Sequence, residues 1–330
     1  MKAVQITETG GPEVLKYIDL PTPRPGPGEV LVKAHAIGVC MPETYVRKGV
    51  YAWMPKLPLV PGIEMSGTVA EAGAGCTQLR VGQRVFVCAR EFEERANCYA
   101  EYIAGPENRI YPVPDGVDLD QAAGLANYQV AWHLLNSALK GFQYDSVLVV
   151  AAAGGVGTAL VQLAKAYGKH VIGVTSSTER AAFVRAQGAD AVIDRKQSDV
   201  VEQALQLTHG RGVDLIIDCA GGPYMTKFFD CLERFGMLVL YGRIEGPPTG
   251  NIHDAIHKKP WRSGAFRYFT MHTLDDWPEL RAKCTHDLLR LMSEGRFQVP
   301  IYERVPLSDA PRAHRIFESG AVMGKLIMKP

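Results

Sequence analysis

Between Ala151 and Gly157 the chain reads AAAGGVG, directly after the apolar run SVLVVAA and directly before the helix-like run GTALVQLAKAYG. A glycine-rich turn in that context suits a pyrophosphate. Gly154 lets the backbone approach the anion, Gly157 lets the helix lie close to the strand, and the free amides at the helix start attract negative charge. The residues that would face the phosphates are Ala153, Gly154, Gly155, Val156 and Gly157. Ala152 stands where the usual fingerprint has its first glycine, so the strand–turn–helix context carries more weight than the letters. A tight turn that binds nothing is the alternative.

The end of the next strand selects between dinucleotides. An acidic residue about 20 positions after the glycines would grip the ribose hydroxyls of NAD. Here the run is Val174, Thr175, Ser176, Ser177, with Arg180 one turn into the following helix. Hydroxyls and a cation remove the repulsion of a 2′-phosphate and offer it donors, which favours NADPH over NADH. Arg180 as a solvated helix face, with Glu179 beside it, is the competing reading.

These residues need a scaffold, and 330 residues, 47% hydrophobic, supply one. Single cores stop growing near about 250–300 residues, so two domains are expected, with a cleft available for a ligand. The segment before Leu119 alternates short β-rich runs (EVLVKAHAIGV, MSGTVAEAG, RVFVCA) with Gly and Pro punctuation and reads as irregular all-β. After it come the strand candidates VLVVAA, HVIGVT, DAVID, VDLIIDCA and MLVLYG. Helical candidates GTALVQLAKAYG, TERAAFVRAQG, DVVEQALQLTHG and MTKFFDCLERF alternate with them. That alternation builds an α/β doubly wound parallel sheet covered on both faces. A sixth strand near SGAFRYF, a helix from Glu279 to Met292, a strand near Arg304 and a GKLIMK strand follow.

Thirty-six Lys plus Arg against 35 Asp plus Glu leave a net charge of +1, too balanced for a general attraction to nucleic acid or acidic membrane. No apolar run reaches the roughly 18 residues of a membrane span, and the N-terminal segment lacks a signal peptide's apolar stretch; a cytoplasmic protein is expected. The seven cysteines are widely spaced with no CxxC pair, so reduced thiols are expected, without a redox pair or a structural zinc lobe.

Several segments, taken in order, carry a resemblance: GGPEVLKY, AIGVCMPETYVRKGVY from Ala36 to Tyr51, PGIEMSGTV from Pro61, VGQRV from Val81, the AAAGGVG turn, and GADAVID from Gly188. With them the chain resembles the medium-chain dehydrogenase/reductase superfamily, and within it the zinc-free quinone oxidoreductases of the zeta-crystallin type, over nearly its whole length. The resemblance implies a GroES-like, mainly-β catalytic domain from residues 1–123 and 268–330, and a Rossmann NADPH-binding domain from 124–267. It also implies a homodimer joined edge to edge through the sixth strands.

In zinc-dependent relatives a Cys of a GVC segment and a His of a GHE segment bind the catalytic metal. This sequence keeps Cys40 and Glu64 but has Ile63 in place of the histidine, and an aliphatic side chain cannot ligate. No metal is expected; a site improvised from Cys40, Glu64 and Cys88 is the alternative. Loss of the metal disfavours plain alcohol oxidation and leaves hydride transfer to a quinone or α,β-unsaturated carbonyl, which needs positioning and a hydrogen-bond donor.

By comparison with the relatives' substrate segment, Tyr45 and Tyr51 are the candidates to polarise the acceptor, and Arg47 to orient an anionic group. A cleft-wall tyrosine facing water, and a solvated Arg47 beside Lys48, are the bland readings. Further cofactor contacts carried over by position are Asn127, Cys219, Ala220, Tyr241, Gly242 and Lys325, with Arg195 added near the adenosine phosphate. An enoyl-thioester reductase, using Arg47, Lys48 and Lys56 as a basic groove, and a non-catalytic NADPH-binding protein compete with the quinone or enone reductase.

Overall fold

A computed structural model describes residues 1–330. It divides the chain into one unit of Met1–Ala126 with Trp277–Pro330 and another of Asn127–Asp276.

The first unit opens with an antiparallel ribbon of β1 (Lys2–Gln5) and β2 (Lys16–Asp19). There follow β3 (Glu29–Gly38), α1 (Met41–Lys48), β4 (Glu64–Ala72), β5 (Arg84–Cys88), β6 (Tyr102–Pro106), β7 (Ile110–Pro112) and α2 (Leu119–Ala122). The helix α3 (Leu125–Leu135) carries the chain into the second unit.

That unit holds β8 (Ser146–Val149), α4 (Gly155–Ala166), β9 (His170–Thr175), α5 (Thr178–Ala186), β10 (Ala191–Asp194), α6 (Val200–Leu207), β11 (Val213–Asp218), β12 (Leu232–Leu240), α7 (Ile252–His257) and β13 (Ala265–Tyr268). The chain then returns to the first unit through α8 (Pro278–Ser293), β14 (Ile301–Pro306), α9 (Ala310–Glu318) and β15 (Lys325–Lys329).

The return is a sheet connection. β15 pairs antiparallel with β3, Ile327 opposite Gly38, in a sheet ordered β14-β15-β3-β4-β5-β7 with β6 also on β3. The alternation in VLVKAHAIG puts Lys33 and His35 outside while Val30, Val32 and Ile37 join Met65, Val85, Val87, Ile103, Leu326 and Met328 in one core. Each such side chain contributes about 1.5–3 kcal/mol by burial.

In the second unit the sheet runs β10-β9-β8-β11-β12-β13 with every pair parallel, so the chain direction across the sheet reverses between β8 and β11. Ligands of open α/β sheets bind at that reversal, beside the carboxyl ends of the strands. The expected strands all form there, the sixth included. One expected helix does not: MTKFFDCLERF divides into a 3-10 turn at Met225–Cys231 and the start of β12. Leu232 pairs with Val213, the register shifts, and Phe235 takes a left-handed φ of 61° at the kink. Pairing along β11 outweighs the local helical pattern. The second unit also extends past residue 267, because β13 completes its sheet and Phe269 N donates to Leu240 O.

Candidate cofactor and substrate sites

The phosphate turn is a backbone construction. Gly154 caps α4 with an extended φ of −74° and ψ of 171° and gives its N–H to Ala151 O at 3.0 Å; Ala151 itself sits at φ 55°. The next three amides, on Gly155, Val156 and Gly157, begin the helix and have no intrahelical acceptor, as the first turn of any helix requires. A Cβ on Gly157 would stand 2.3 Å from Ala151 O and 2.8 Å from Ala152 Cα, so only glycine allows this closeness. The alanine at the fingerprint's first position is accommodated from the facing strand. A Cβ on Gly173 would come 3.1 Å from Ala152 Cβ, so Gly173 gives up the space that the Ala152 methyl fills.

At the end of β9, Thr175 is buried and its hydroxyl has no partner, an orphaned polar atom where a ribose phosphate would be read. Ser177 is partly committed: its Oγ caps α5, accepting from Arg180 N at 3.3 Å. Ser176 and Arg180 are half-buried beside it. Arg195 is exposed and reaches Glu245 at 2.6 Å.

The carboxyl ends of β11 and β12 meet through Gly242, whose Cβ would lie 2.6 Å from Cys219 O. Asp218, missed in the sequence, organises this edge. Fully buried, it accepts from Ala220 N at 2.7 Å and Gly221 N at 3.2 Å, and burial pushes its carboxyl up to about 6. Its signal was a carboxylate closing the apolar run VDLII. Tyr241 N donates to Asp218 O, and Cys219 Sγ lies 3.8 Å from Val150 O. Asn127 is half-buried on α3, one residue before Tyr128, whose hydroxyl donates to Gln162 at 2.6 Å.

The first unit holds a side-chain cluster. Cys40 caps α1, and Glu43 closes the capping box by accepting from Cys40 N at 3.0 Å while its other oxygen accepts from Ile63 N at 3.1 Å. Burial pushes the Glu43 carboxyl up to about 7, against the opposing pull of Lys325. Glu64 accepts from Cys40 Sγ at 3.0 Å, from Ala126 N at 2.7 Å and from the Lys325 ammonium. Gly38 must be glycine here, since a Cβ would lie 2.4 Å from both Ala123 O and the Glu64 carboxylate.

Lys325 departs from the expected cofactor contact. Its side chain is 1% exposed, and the ammonium bonds Glu64, Cys40 Sγ at 3.0 Å and Val39 O at 3.1 Å, so its three donors are used inside the first unit. Burial opposes its charge, yet the Glu64 carboxylate, together with the hydrogen bond to Cys40 Sγ, holds its pKa above the ordinary lysine value. Burial, with Glu64 beside it, keeps Cys40 a thiol.

Arg47 departs as well. It is 1% exposed, donates to Gly10 O and to Glu318 at 2.7 Å each, and ties α1 to α9 rather than facing a ligand. Tyr45 is half-buried on α1, and Tyr51 is half-buried against the core with Trp53 at 5.9 Å between ring centroids.

Ile63 is buried in an apolar contact with Cys40 and Ala126. Cys88 lies opposite Glu64 in the β4–β5 register, its thiol pushed up to about 12 by burial. No group of three or more His, Cys, Asp or Glu side chains is arranged to hold a metal ion.

Two family models match the chain. The family described as "Alcohol dehydrogenase GroES-like domain" matches residues 26–115, and "Zinc-binding dehydrogenase" matches residues 155–285. A quinone oxidoreductase of Pseudomonas aeruginosa is 33% identical, with 100% of this chain and 99% of the relative covered. The crystal structure of Escherichia coli quinone oxidoreductase complexed with NADPH superposes with a TM-score of 0.89 at 28% identity, covering 100% of both chains. A 2-haloacrylate reductase structure superposes with a TM-score of 0.83 at 28% identity, covering 100% of this chain and 99% of the other. The first unit is thus a GroES-like domain and the second a Rossmann domain, and the chain belongs to the quinone oxidoreductase family of the medium-chain dehydrogenase/reductase superfamily.

Proposed function

We propose that the protein is an NADPH-dependent reductase that passes reducing equivalents to a quinone or an α,β-unsaturated carbonyl without zinc. The observation that carries this reading is the Lys325 ammonium seated between Cys40 and Glu64. The donors left from a zinc site are one thiol and one carboxylate, both already bonded to a fixed cation, and Ile63 supplies no third ligand. That donor set does not fit a catalytic zinc, and no step is assigned to one.

The residues of the second unit fit NADPH. The Gly154–Gly157 turn has the shape and free amides for a pyrophosphate, and Thr175, Ser176 and Arg180 offer donors to a 2′-phosphate. NADPH supplies a hydride when bound. In the first unit, Tyr51 and Tyr45 are the groups proposed to donate a hydrogen bond to the acceptor oxygen as negative charge develops there. Protonation of that oxygen by solvent suffices to finish the reaction. The enzyme named for 2-haloacrylate supports an activated alkene as well as a quinone in the acceptor role.

The basic groove needed for an enoyl thioester has lost Arg47 to the interior, and Lys48 pairs with Glu318. We place the protein in the cytoplasm as a homodimer; no helix is long and apolar enough to cross a membrane. β13 forms a sheet edge paired only with β12, with Tyr268 63% exposed, which supports pairing of two copies there.

The test is the initial rate of NADPH and NADH oxidation by chelator-treated protein with 1,4-benzoquinone, a simple enone and an aldehyde. Turnover of quinone or enone with NADPH after chelation is expected. Activity confined to the aldehyde and lost on chelation would overturn the proposal.

A further inference from the structure

We infer that Arg90 is a recognition site for a carboxylate carried by the electron acceptor, an inference that rests on the reductase reading above. Arg90 lies in the 3-10 turn Ala89–Glu91 directly after β5. The turn is fixed beside the Cys40 cluster: Cys88 stands opposite Glu64, and Ala89 N donates to Ile63 O at 2.7 Å. The ionisable groups around the guanidinium include Cys88, Cys40, Tyr51 and Glu64. Arg90 therefore shares its surroundings with Tyr51, the proposed donor to the acceptor oxygen.

The guanidinium keeps one donor unused. Its Nη1 is buried without a hydrogen-bond partner. The carboxylates near it are taken: Glu64 by Lys325, Cys40 and Ala126 N, and Glu91 by the Tyr111 hydroxyl at 2.7 Å. By contrast, two buried cations of this unit each hold a carboxylate, Arg47 that of Glu318 and Lys325 that of Glu64, although Arg47 Nε is itself without a partner. Arg90 as a whole is half-buried, but a buried donor atom without a partner is costly, and an acceptor on a ligand would complete it. A planar guanidinium fork matches a carboxylate through two parallel hydrogen bonds. The acceptor class assigned is an activated alkene or quinone bearing a carboxylate close to its reducible carbons.

The test compares 4-oxo-2-pentenoate with its methyl ester, an anionic and a neutral enone of the same skeleton, using NADPH and with 1,4-benzoquinone as a third acceptor. In the unaltered protein kcat/KM should favour the acid over the ester. In Arg90→Met that ratio should fall by about 10- to 100-fold, through KM for the acid, as expected for loss of a charge-assisted contact. Arg90→Lys should recover part of it. Competitive inhibition by 4-oxopentanoate should weaken in the same order, and thermal melts identify any variant that fails to fold.

A ratio that is the same in all three proteins overturns the assignment, and so does a loss appearing in KM for NADPH, which would mean that the guanidinium serves the cofactor. If the unaltered protein reduces benzoquinone but shows no preference for the acid, the Arg90 assignment fails while the reductase reading stands. If it reduces none of the three acceptors, the reductase reading fails first.

Discussion

The two candidate sites are made from different materials. The cofactor turn in the second unit is backbone: a capped helix start, a left-handed Ala151, and glycines at positions where a Cβ would strike a carbonyl. The cluster in the first unit rests on side chains: the Cys40 thiol, the Glu64 carboxylate and the Lys325 ammonium are buried and bonded to one another, and the buried Glu43 carboxylate beside them accepts from the Cys40 and Ile63 amides. Damage to the first kind of site should therefore fall on binding. Damage to the second should fall on folding, because each charge there depends on the others to be tolerated in the interior.

The sharpest way to break this contrast is Lys325→Met. It leaves Glu64 and Cys40 buried without their cation and should destabilise the protein by about 3–5 kcal/mol in urea unfolding, with Glu64→Gln in the same chain recovering part of the loss. A change below 1 kcal/mol would make the cluster incidental to folding.

Next in size is a pH effect at Glu43. Its folded pKa of about 7 lies above the ordinary 4.5, so the folded protein binds the extra proton, and this group's contribution to stability falls as pH rises from 4.5 through 7. His314, lowered to about 3 by burial, works the other way and removes stability as pH falls from 6.5 toward 3. Glu43→Gln should gain on the unaltered protein between pH 5 and pH 7.5, by about 2 kcal/mol, and a constant difference between two unfolding curves at those pH values would rule this out.

On the backbone side, Arg180→Ala should weaken NADPH binding by about tenfold while sparing NADH and leaving stability nearly unchanged. Equal losses for both cofactors, measured by fluorescence titration, would remove the assigned phosphate contact. Smallest is Ala151→Gly, which relieves a left-handed alanine and should raise stability by about 1 kcal/mol in the same unfolding assay.

The same contrast explains what could be read from the sequence. The cofactor turn was legible because strand, glycines and helix are contiguous, and the whole device fits in Ser146–Ala166. The parallel sheet was legible from its repeating strands and helices. Lys325 and Arg47 were not: Lys325 reads as a cofactor contact and Arg47 as a group for a ligand anion or a solvated face, because the carboxylates that draw them inside lie 261 and 271 residues away. Cys40 and Glu64 could be named, but that Lys325 joins them follows only from β15 lying on β3. Arg90 drew no attention because an arginine between Ala89 and Glu91 has no local feature to mark it. The MTKFFDCLERF segment was misread because its pairing partner, β11, is outside the window in which helical periodicity is judged.

The place of Lys325 also governs the order in which a ribosome can complete this protein. Glu64 emerges early, but the cation that makes its burial tolerable is translated 261 residues later, after the whole inserted unit. During synthesis the second unit is free to fold as it emerges, whereas the first must wait, its β4 segment holding an acid whose native partner is not yet translated. The insertion thus makes the earliest-translated segment of the molecule, Met1–Ala126, among the last to mature.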